Sequence, residues 1–278
     1  LALMEKLRKA GTPLGEYVEG KLYRGVLTGF NEAFVIDEAT RQRLIAEDPK
    51  SAELIKPWLR GRDIRKWKAE WAGLYLIGIS SSANREWPWS KEKSEAKARS
   101  LFERAYPAIC KHLSQWEDQL KARDDQGQFW WELRSCAYYQ EFERAKIVYA
   151  DIAKHLRASY DTSGTFCANT LYILPTDDLT LLGVLHSKIF DWYARNNFQP
   201  FGDPWEDGRL RFIAQFMEKF PIIAASDQQK KPIVQRVRRI LDDPDGPDVP
   251  RLEREIDQLV YTLYGLTEEE IALVEGRK

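Results

Sequence analysis

The chain has 278 residues, of which 44% are hydrophobic and 12% aromatic, enough to build one large core or two smaller ones. The three cysteines are odd in number and far apart, which excludes a disulfide framework and a CxxC zinc site and favours the reducing cytoplasm. The sequence has no run of about 18 apolar residues and no signal-peptide pattern at its start, so we expect neither membrane insertion nor secretion, while the net charge of −1 alone argues against nucleic-acid binding.

The first two thirds of the chain mix short strands with helices. Two β-rich runs, KLYRGVL (21–27) and AFVI (33–36), flank Thr28-Gly29 and predict a hairpin-like pair, followed by a helix from Glu38 to about Ile45. Further strands are predicted at LYLIGI (74–79), AKIVYADI (145–152) and TLYILP (170–175), and helices at about 91–105 and 107–123. No regular βαβ alternation is present, so the pattern predicts an α+β domain with a mixed β-sheet.

From about Thr180 the chain is predicted to be helical, and we place the end of a first domain, 1–221, near Pro221. The remaining residues, 222–278, predict a helical C-terminal tail. Ser226 and Gln229 form a capping-box pattern before one amphipathic helix, and the linker DDPDGPDVP (242–250) ends it. A second helix stops at Gly265, and Thr267 with Glu270 predicts the cap of a third.

Charge is unevenly distributed along the chain. Residues 241–278 hold eleven acidic and four basic residues, a net of −7, which leaves +6 for everything before them. A basic segment in the first part places six cations within thirteen residues, with only Asp63 opposing them: Lys56, Arg60, Arg62, Arg65, Lys66 and Lys68. Composition alone leaves two interpretations open, a surface that faces phosphate and a solvated charged face beside Trp58 and Trp67.

Catalytic motifs are not recognisable in the sequence. A methyltransferase needs a glycine-rich cofactor loop and an Asn/Asp/Ser-Pro-Pro-aromatic motif; Asp203-Pro204-Trp205 is the nearest match, and we interpret it as a turn. Glu95-Ala96-Lys97 with Asp63 upstream resembles a metal-dependent nuclease pattern only in outline. His112, His155 and His186 lack ligand spacing, so we expect structural or surface roles for them.

Three ordered blocks carry a family resemblance: RGVLTGFNEAFVID (24–37), LIKPWLRGRDIRKW (54–67), and QGQFWWELRSCAYYQEFERAKIVYADI (126–152) with TLYILPTDDLTLLGVLHSKIFDWY (170–193). Together they resemble the TaqI-like specificity domain of adenine-specific DNA methyltransferases and of single-chain, type IIG restriction-modification enzymes, over about residues 15–225. The helical tail is similar to the helical spacers of type I specificity subunits. This sequence departs from the common pattern at His186, where asparagine is usual, and in the loop GDPWEDG (202–208).

The resemblance implies a target-recognition domain that binds double-stranded DNA and has no catalytic centre, cofactor site or metal site. The adenine methyltransferase that uses S-adenosylmethionine, and possible nuclease activity, would belong to an upstream part of the same polypeptide. Two rival hypotheses stay open: a protein-interaction scaffold built on the acidic tail, and a degenerate methyltransferase or nuclease.

Candidate DNA contacts fall in all three blocks. In the first block the glycines permit a tight turn and close backbone approach, and the predicted contacts are Arg24, Thr28, Gly29 and Asn31. In the second block, Arg60, Arg62 and Arg65 are predicted to reach phosphate or guanine, with Asp63 orienting them or meeting DNA itself. The third block contributes Arg134, Tyr138, Tyr139 and Lys146 as backbone contacts, and Asn169 as an adenine contact. One of Trp130 and Trp131 is expected in the core and the other at the surface, and the acidic tail is expected to face away from the DNA.

Overall fold

The computed structural model describes residues 2–203 and 208–277. Its helices are α1 (Ala2–Ala10), α2 (Leu14–Tyr17), α3 (Asn31–Phe34), α4 (Glu38–Glu47), α5 (Glu95–Ala105), α6 (Pro107–Leu113), α7 (Glu117–Lys121), α8 (Leu179–Leu185), α9 (Lys188–Asn197), α10 (Ala214–Met217), α11 (Asp227–Asp242), α12 (Val249–Leu263) and α13 (Glu268–Val274). Short 3-10 helices occupy Pro49–Glu53, Gly61–Asp63, Ser114–Trp116 and Tyr139–Glu143.

The strands are β1 (Thr12–Pro13), β2 (Tyr23–Arg24), β3 (Val35–Asp37), β4 (Ile55–Leu59), β5 (Leu74–Ile77), β6 (Lys146–Ala150), β7 (Ile152–Ala153), β8 (Ala158–Asp161), β9 (Phe166–Cys167), β10 (Leu171–Leu174), β11 (Pro200–Phe201), β12 (Arg209–Arg211) and β13 (Pro221–Ile222). They form two four-stranded sheets, ordered β2-β10-β6-β8 and β3-β5-β4-β9, and two small sheets, β11-β12-β7 and β1-β13. The β4–β9 pair is parallel within otherwise antiparallel sheets. The predicted α+β fold with mixed sheets is confirmed.

The sheet β2-β10-β6-β8 separates two hydrophobic cores. Successive residues of β6 alternate between them, because side chains along a strand point to opposite faces. Ile147 and Tyr149 join the core that also contains α8, α9 and the tail helices, whereas Val148 and Ala150 join the core beneath α5, α6 and the second sheet. One sheet therefore supplies a wall to both cores.

The hairpin predicted around Thr28-Gly29 is wrong. Strand β2 pairs with β10, and β3 pairs with β5, so the two runs belong to different sheets. Residues 25–34 connect the sheets, and the chain is held at Gly25, whose N–H donates to the Leu171 carbonyl at 2.8 Å. Long-range pairing thus replaces the local turn that the sequence pattern suggests.

Replacement of Gly25 by alanine is expected to destabilise the fold. A Cβ atom at this position would lie 2.0 Å from the Ala168 carbonyl oxygen, so the two backbone segments would have to separate. Overpacking of this kind costs on the order of 1–3 kcal/mol, measured as the free energy of unfolding in urea. Gly78→Ala is the matched control, since its nearest neighbour would be at 3.5 Å, an ordinary contact. Equal stabilities of the two variants would contradict the assigned close approach.

The tail helices form where the sequence predicts them. Ser226 and Thr267 accept hydrogen bonds from the N–H groups of Gln229 and Glu270, which complete both capping boxes, and α12 is followed by Gly265 at φ +61°. The tail has no core of its own, however. Its apolar residues Ile233, Val237 and Ile256 pack with Leu3, Leu7 and helix α8, so the predicted boundary at 221/222 divides the sequence but not this core.

Two predicted aromatic and helical details need correction. Trp130 and Trp131 are both buried, because both join the aromatic core around Phe102 and Phe129. The stretch predicted as one helix over 107–123 is instead α6, a 3-10 turn and α7.

None of the helices in the described ranges is long and apolar enough to span a bilayer.

Candidate DNA interface

A groove of about 800 Å³ lies where the connecting segments of the sheets converge. Its walls come from Asn31 and Val35, from β4 and the following 3-10 turn, from the ends of β6 and β10, and from β11 and β12. The polar and charged lining residues are Asn31, Glu32, Arg60, Arg62, Asp151, Arg157, Asn169, Thr170 and Arg209. The groove thus combines four arginines with two side-chain amides.

Arg60 is held rigidly in this wall. Its guanidinium donates to both carboxylate oxygens of Asp63, at 2.9 Å from Nε and 2.7 Å from Nη2, and Asp63 also accepts from the Arg60 N–H. Asp63 is buried, so of the two roles considered for it the structure supports orientation of the arginine. The turn is joined to β10 through the Gly61 N–H, which donates to the Thr170 hydroxyl at 3.0 Å.

Arg157 is the cation in the floor of the groove. Its Nη2 donates to the Ile152 carbonyl at 3.3 Å, while its buried Nε has no hydrogen-bond partner among residues 2–203 and 208–277. Burial, reinforced by the charge of nearby Arg65, lowers the pKa of Arg157, and Asp151 opposes that shift only in part. A partly desolvated guanidinium beside a second cation favours an anion such as a phosphate.

A second pocket, of about 360 Å³, adjoins the groove at Asn169. Arg24 and Arg134 line it, together with Tyr138 and Tyr139. The Arg24 Nε donates to the Asn169 carbonyl at 2.8 Å, and the Tyr138 hydroxyl donates to the Arg24 carbonyl at 3.0 Å. Burial is the main cause that raises the pKa of Tyr138 to about 12, so its hydroxyl stays a donor at physiological pH. Arg134 forms an exposed ion pair with Asp125.

The segment 28–31 presents Asn31 to the groove. The Thr28 hydroxyl accepts from the Phe30 N–H and donates to Asn31 Oδ1 at 2.6 Å. Thr28 is buried, so the prediction that it contacts DNA is corrected: its hydroxyl positions Asn31. Gly29 adopts φ +70°, which glycine permits, above the buried guanidinium of Arg123 that donates to the Thr28 carbonyl.

The basic segment is largely neutralised by carboxylates. Five of its six cations form ion pairs: Lys56 with Glu143, Arg60 with Asp63, Arg65 with Glu70, Lys66 with Glu253, and Lys68 with Glu70 and Asp245. Arg62 is exposed and has no ion pair within residues 2–203 and 208–277. Glu253 and Asp245 belong to the acidic tail, so the tail contacts the end of the basic segment at Lys66 and Lys68. The expectation that the tail faces away from the DNA stays a prediction.

The prediction that Lys146 contacts DNA is also corrected. Its side chain is fully buried, its ammonium donates to the Phe142 carbonyl at 2.5 Å, and it pairs with Asp161. A lysine enclosed in this way does not reach the surface of DNA.

A family model described as the TaqI-like C-terminal specificity domain matches residues 56–222, more than half of the chain. The chain belongs to the TaqI-like C-terminal specificity domain family. A structure of the type IIL restriction-modification enzyme MmeI in complex with DNA has a similar fold, with TM-score 0.62 and 13% identity over 92% of this chain and 35% of that one. The type IIG restriction endonuclease BpuSI matches at TM-score 0.43 and 13% identity over 95% of this chain and 33% of that one. The chain thus spans about a third of the length of each matched structure.

The residues predicted from the sequence lie at different places in the specificity domain. Asn31, Arg60 and Arg62 line the groove, Arg24 and Arg134 line the adjoining pocket, and Asn169 borders both. Arg65 points into an ion pair with Glu70 at 2.9 Å. Whether the exposed members of this set contact DNA stays a prediction.

Sequence reasoning missed three groove residues of this specificity domain. Arg157 comes from a connecting segment without a pattern of its own. Arg209 and Phe201 come from β12 and β11, where the guanidinium of Arg209 lies 5.0 Å from the ring centre of Phe201. The alternation Arg209-Leu210-Arg211-Phe212 was a usable strand signal, since Leu210 and Phe212 are buried and alternate with the half-buried arginines.

The residues considered for catalysis lie apart in the specificity domain. Asp63 pairs with Arg60, and Glu95 pairs with Lys121 at 2.8 Å. The histidines have separate partners, namely the Ala33 carbonyl for His112, Asp191 for His155 and the Ala158 carbonyl for His186, and burial lowers the pKa of His186 to about 3. In the described part of the chain, no group of three His, Cys, Asp or Glu side chains could hold a metal ion. The Pro204-Trp205 part of the turn match lies outside the described residues.

Proposed function

We propose that this chain is the sequence-specific DNA recognition module of a restriction-modification enzyme, and that it holds double-stranded DNA across the groove. The supporting observation is the juxtaposition of two side-chain amides, Asn31 and Asn169, with two arginines, Arg62 and Arg157, that form no ion pair within the described residues. Amides match the donor and acceptor pattern of base edges, whereas arginines bind phosphate or guanine.

Asn31 and Asn169 differ in what they offer to a base. The Thr28 hydroxyl donates to the Asn31 amide oxygen and thereby orients the amide. In that orientation the amide N–H groups of Asn31 can pair with acceptors such as purine N7, guanine O6 or thymine O4. In the described structure the Asn169 side chain has no hydrogen-bond partner, so it offers both a donor and an acceptor, as bidentate recognition of adenine requires.

The remaining cations serve to position the duplex. Arg157 in the floor and Arg62 at the exposed edge are proposed to contact phosphates, and Arg24 and Arg134 extend the phosphate path into the adjoining pocket. The methyl transfer itself, with S-adenosylmethionine as donor, is proposed to take place in an adenine methyltransferase domain upstream in the parent polypeptide. That domain, with or without a nuclease, is the proposed protein partner of this chain.

Selection of bound duplexes from a random pool tests this function. We expect this chain to enrich duplexes that share one short sequence motif. Enrichment of no motif, with binding equal for all duplexes, would contradict sequence recognition. Binding of S-adenosylmethionine to this chain alone would contradict the assignment of the methyl donor to the upstream domain.

Two substitutions separate base recognition from phosphate contact. Asn169→Ala is expected to relax the preference at one base pair, with a loss of about 1–3 kcal/mol in discrimination there, and to leave the salt dependence of binding unchanged. Arg157→Ala is expected to weaken all sequences alike and to reduce the slope of log K against log salt by about 0.9. Titration of the selected duplex and its single-base variants at several salt concentrations checks both. If both variants changed the salt dependence, or if both relaxed the preference at one base pair, the division into a base contact and a phosphate contact would be wrong.

A further inference from the structure

Trp71 is an unusual exposed side chain. Among residues 2–203 and 208–277 only two large apolar side chains are exposed, Trp71 at 47% and Leu273 at 53%. Tryptophan has the largest apolar surface of any residue and is enriched in the energetically dominant positions of interfaces. Its exposure therefore makes Trp71 a candidate contact for a binding partner.

The exposed indole is nevertheless fixed in place. Its Nε1 donates to the Leu74 carbonyl at 3.0 Å, and its ring meets that of Tyr75 edge to face, with centres 5.2 Å apart at 87°. The Arg41 guanidinium lies over the Tyr75 ring, 4.9 Å from its centre, in a cation–π contact. An indole held in this way loses little conformational freedom when a partner covers it.

The backbone of Trp71 lies next to the turn that carries Arg62, a groove residue, and this edge is called the rim. The Glu70 N–H donates to the Asp63 carbonyl at 2.7 Å, and Ile64 bridges Ala69 in antiparallel pairing, so Trp71 and Arg62 are the residues that immediately flank this pairing. Leu74, which accepts the indole hydrogen bond, lines the groove together with Arg62. The backbone of Trp71 thus lies beside that of Arg62, the cation that has no ion pair within residues 2–203 and 208–277.

We infer that Trp71 packs against the sugar or base edges of bound duplex DNA at this rim, beside a phosphate contact made by Arg62. The inference rests on the proposed function and adds an apolar contact to it. DNA is the occupant that the surroundings favour, because its backbone alternates apolar deoxyribose with anionic phosphate and so matches an indole next to an arginine without a carboxylate partner. A protein partner would meet the same ring without needing the cations of the groove.

Salt-dependent titration of the selected duplex distinguishes this contact from an electrostatic one. Trp71→Ala is expected to lower the affinity about tenfold, the loss typical of a removed aromatic contact to a nucleotide, with an unchanged salt slope because an apolar contact releases no counterions. Arg62→Ala should instead reduce the slope by about 0.9. Trp71→Phe, which keeps an aromatic ring, should retain most of the affinity, and Leu273→Ala should match the original chain.

Trp71→Ala with the original affinity and salt slope, in a chain whose Arg62→Ala variant is weakened, would overturn the inference and assign the indole to a protein surface. Equal losses in Trp71→Ala and Leu273→Ala would overturn it as well, since they would reflect a general effect of removing surface. Thermal unfolding of each variant confirms that the fold is intact. If the alanine variant unfolds, Trp71→Leu, which also removes the ring, carries the test, and an affinity equal to that of the original chain would overturn the inference. Failure of the unsubstituted chain to bind any duplex would reject the proposed function itself.

Discussion

Removal of the Asp161 carboxylate by Asp161→Ala is expected to destabilise the protein by about 3–5 kcal/mol, because it leaves a charge buried without a partner. The charge left without a partner is the ammonium of Lys146, whose side chain has no exposed surface. In the folded protein Asp161 also accepts from the Ser163 hydroxyl and from the Thr165 N–H at 3.1 Å, so the substitution opens several bonds at once. Urea-induced unfolding measures the loss as a lower midpoint.

The exposed ion pair between Glu86 and Lys91 provides the matched control. Their side chains are 71% and 85% exposed, and solvent-exposed pairs contribute about 0–1 kcal/mol. Glu86→Ala should therefore leave the midpoint almost unchanged. A similar, small effect of Asp161→Ala would show that the buried lysine reaches water in the folded state.

The same pair makes stability depend on pH. Burial raises the pKa of Asp161, but hydrogen bonds from Lys146 and Ser163 together with the lysine charge outweigh burial and bring that pKa below its ordinary 3.8. A carboxylate whose pKa is lower in the folded state contributes stability above its unfolded pKa and loses it as the pH falls through the folded pKa. The original chain should therefore lose more stability below about pH 4 than Asp161→Asn, in which this group no longer titrates.

Neutralisation of the two tail carboxylates that pair with the basic segment is expected to strengthen non-specific DNA binding. Asp245 holds Lys68 and Glu253 holds Lys66, each at 2.7 Å. Lys66 lines a pocket that shares Arg157 with the groove, so a freed Lys66 adjoins the proposed phosphate path. In Asp245→Asn/Glu253→Gln, Lys66 loses its carboxylate partner, whereas Lys68 keeps Glu70 at 3.3 Å. One additional phosphate contact would then steepen the slope of log K against log salt by about 0.9, and the discrimination between selected and random duplexes should fall.

Two further variants isolate the cause of that change. Glu268→Gln/Glu269→Gln alters the net charge by the same amount but removes carboxylates without ion pairs to the basic segment, and it should leave the slope unchanged. Lys66→Ala/Lys68→Ala introduced into the neutralised tail should restore the original slope. The glutamine at 253 keeps an acceptor for the Trp67 indole N–H, which donates to Glu253 at 2.6 Å. An unchanged slope in the neutralised tail would mean that the paired lysines are remote from DNA.

Local patterns predicted most of the helices and the strands with strong alternation. The capping residues Ser226 and Thr267 mark helix starts through bonds to residues three positions away, and such short-range chemistry is visible in the sequence. Strand pairing is not local, which explains the wrong hairpin: β2 meets β10 almost 150 residues later because Gly25 allows the backbones to approach. The partner of a strand is decided by the assembled core.

Charged residues were the least predictable part of the candidate site. Lys146 and the basic segment looked alike as sequence, since each offers cations near aromatic residues, and the difference lies in distant carboxylates. Asp161 and the tail residues Glu253 and Asp245 neutralise Lys146, Lys66 and Lys68. Arg157 is a candidate site residue for the opposite reason. No carboxylate in the described ranges forms an ion pair with it.

The sheet β2-β10-β6-β8, which supplies a wall to both cores, limits how this protein can be divided or recombined. Ile173 faces one core and Leu174 the other, so excision of either half would leave an apolar sheet face in water. We therefore expect the chain to unfold as one cooperative unit. Under the proposed function, exchange of groove side chains and connecting segments is the route that would transfer DNA preference between relatives without opening either core. Under the proposed function, we expect specificity to diverge by substitution on the groove surface while the two-sided sheet stays intact.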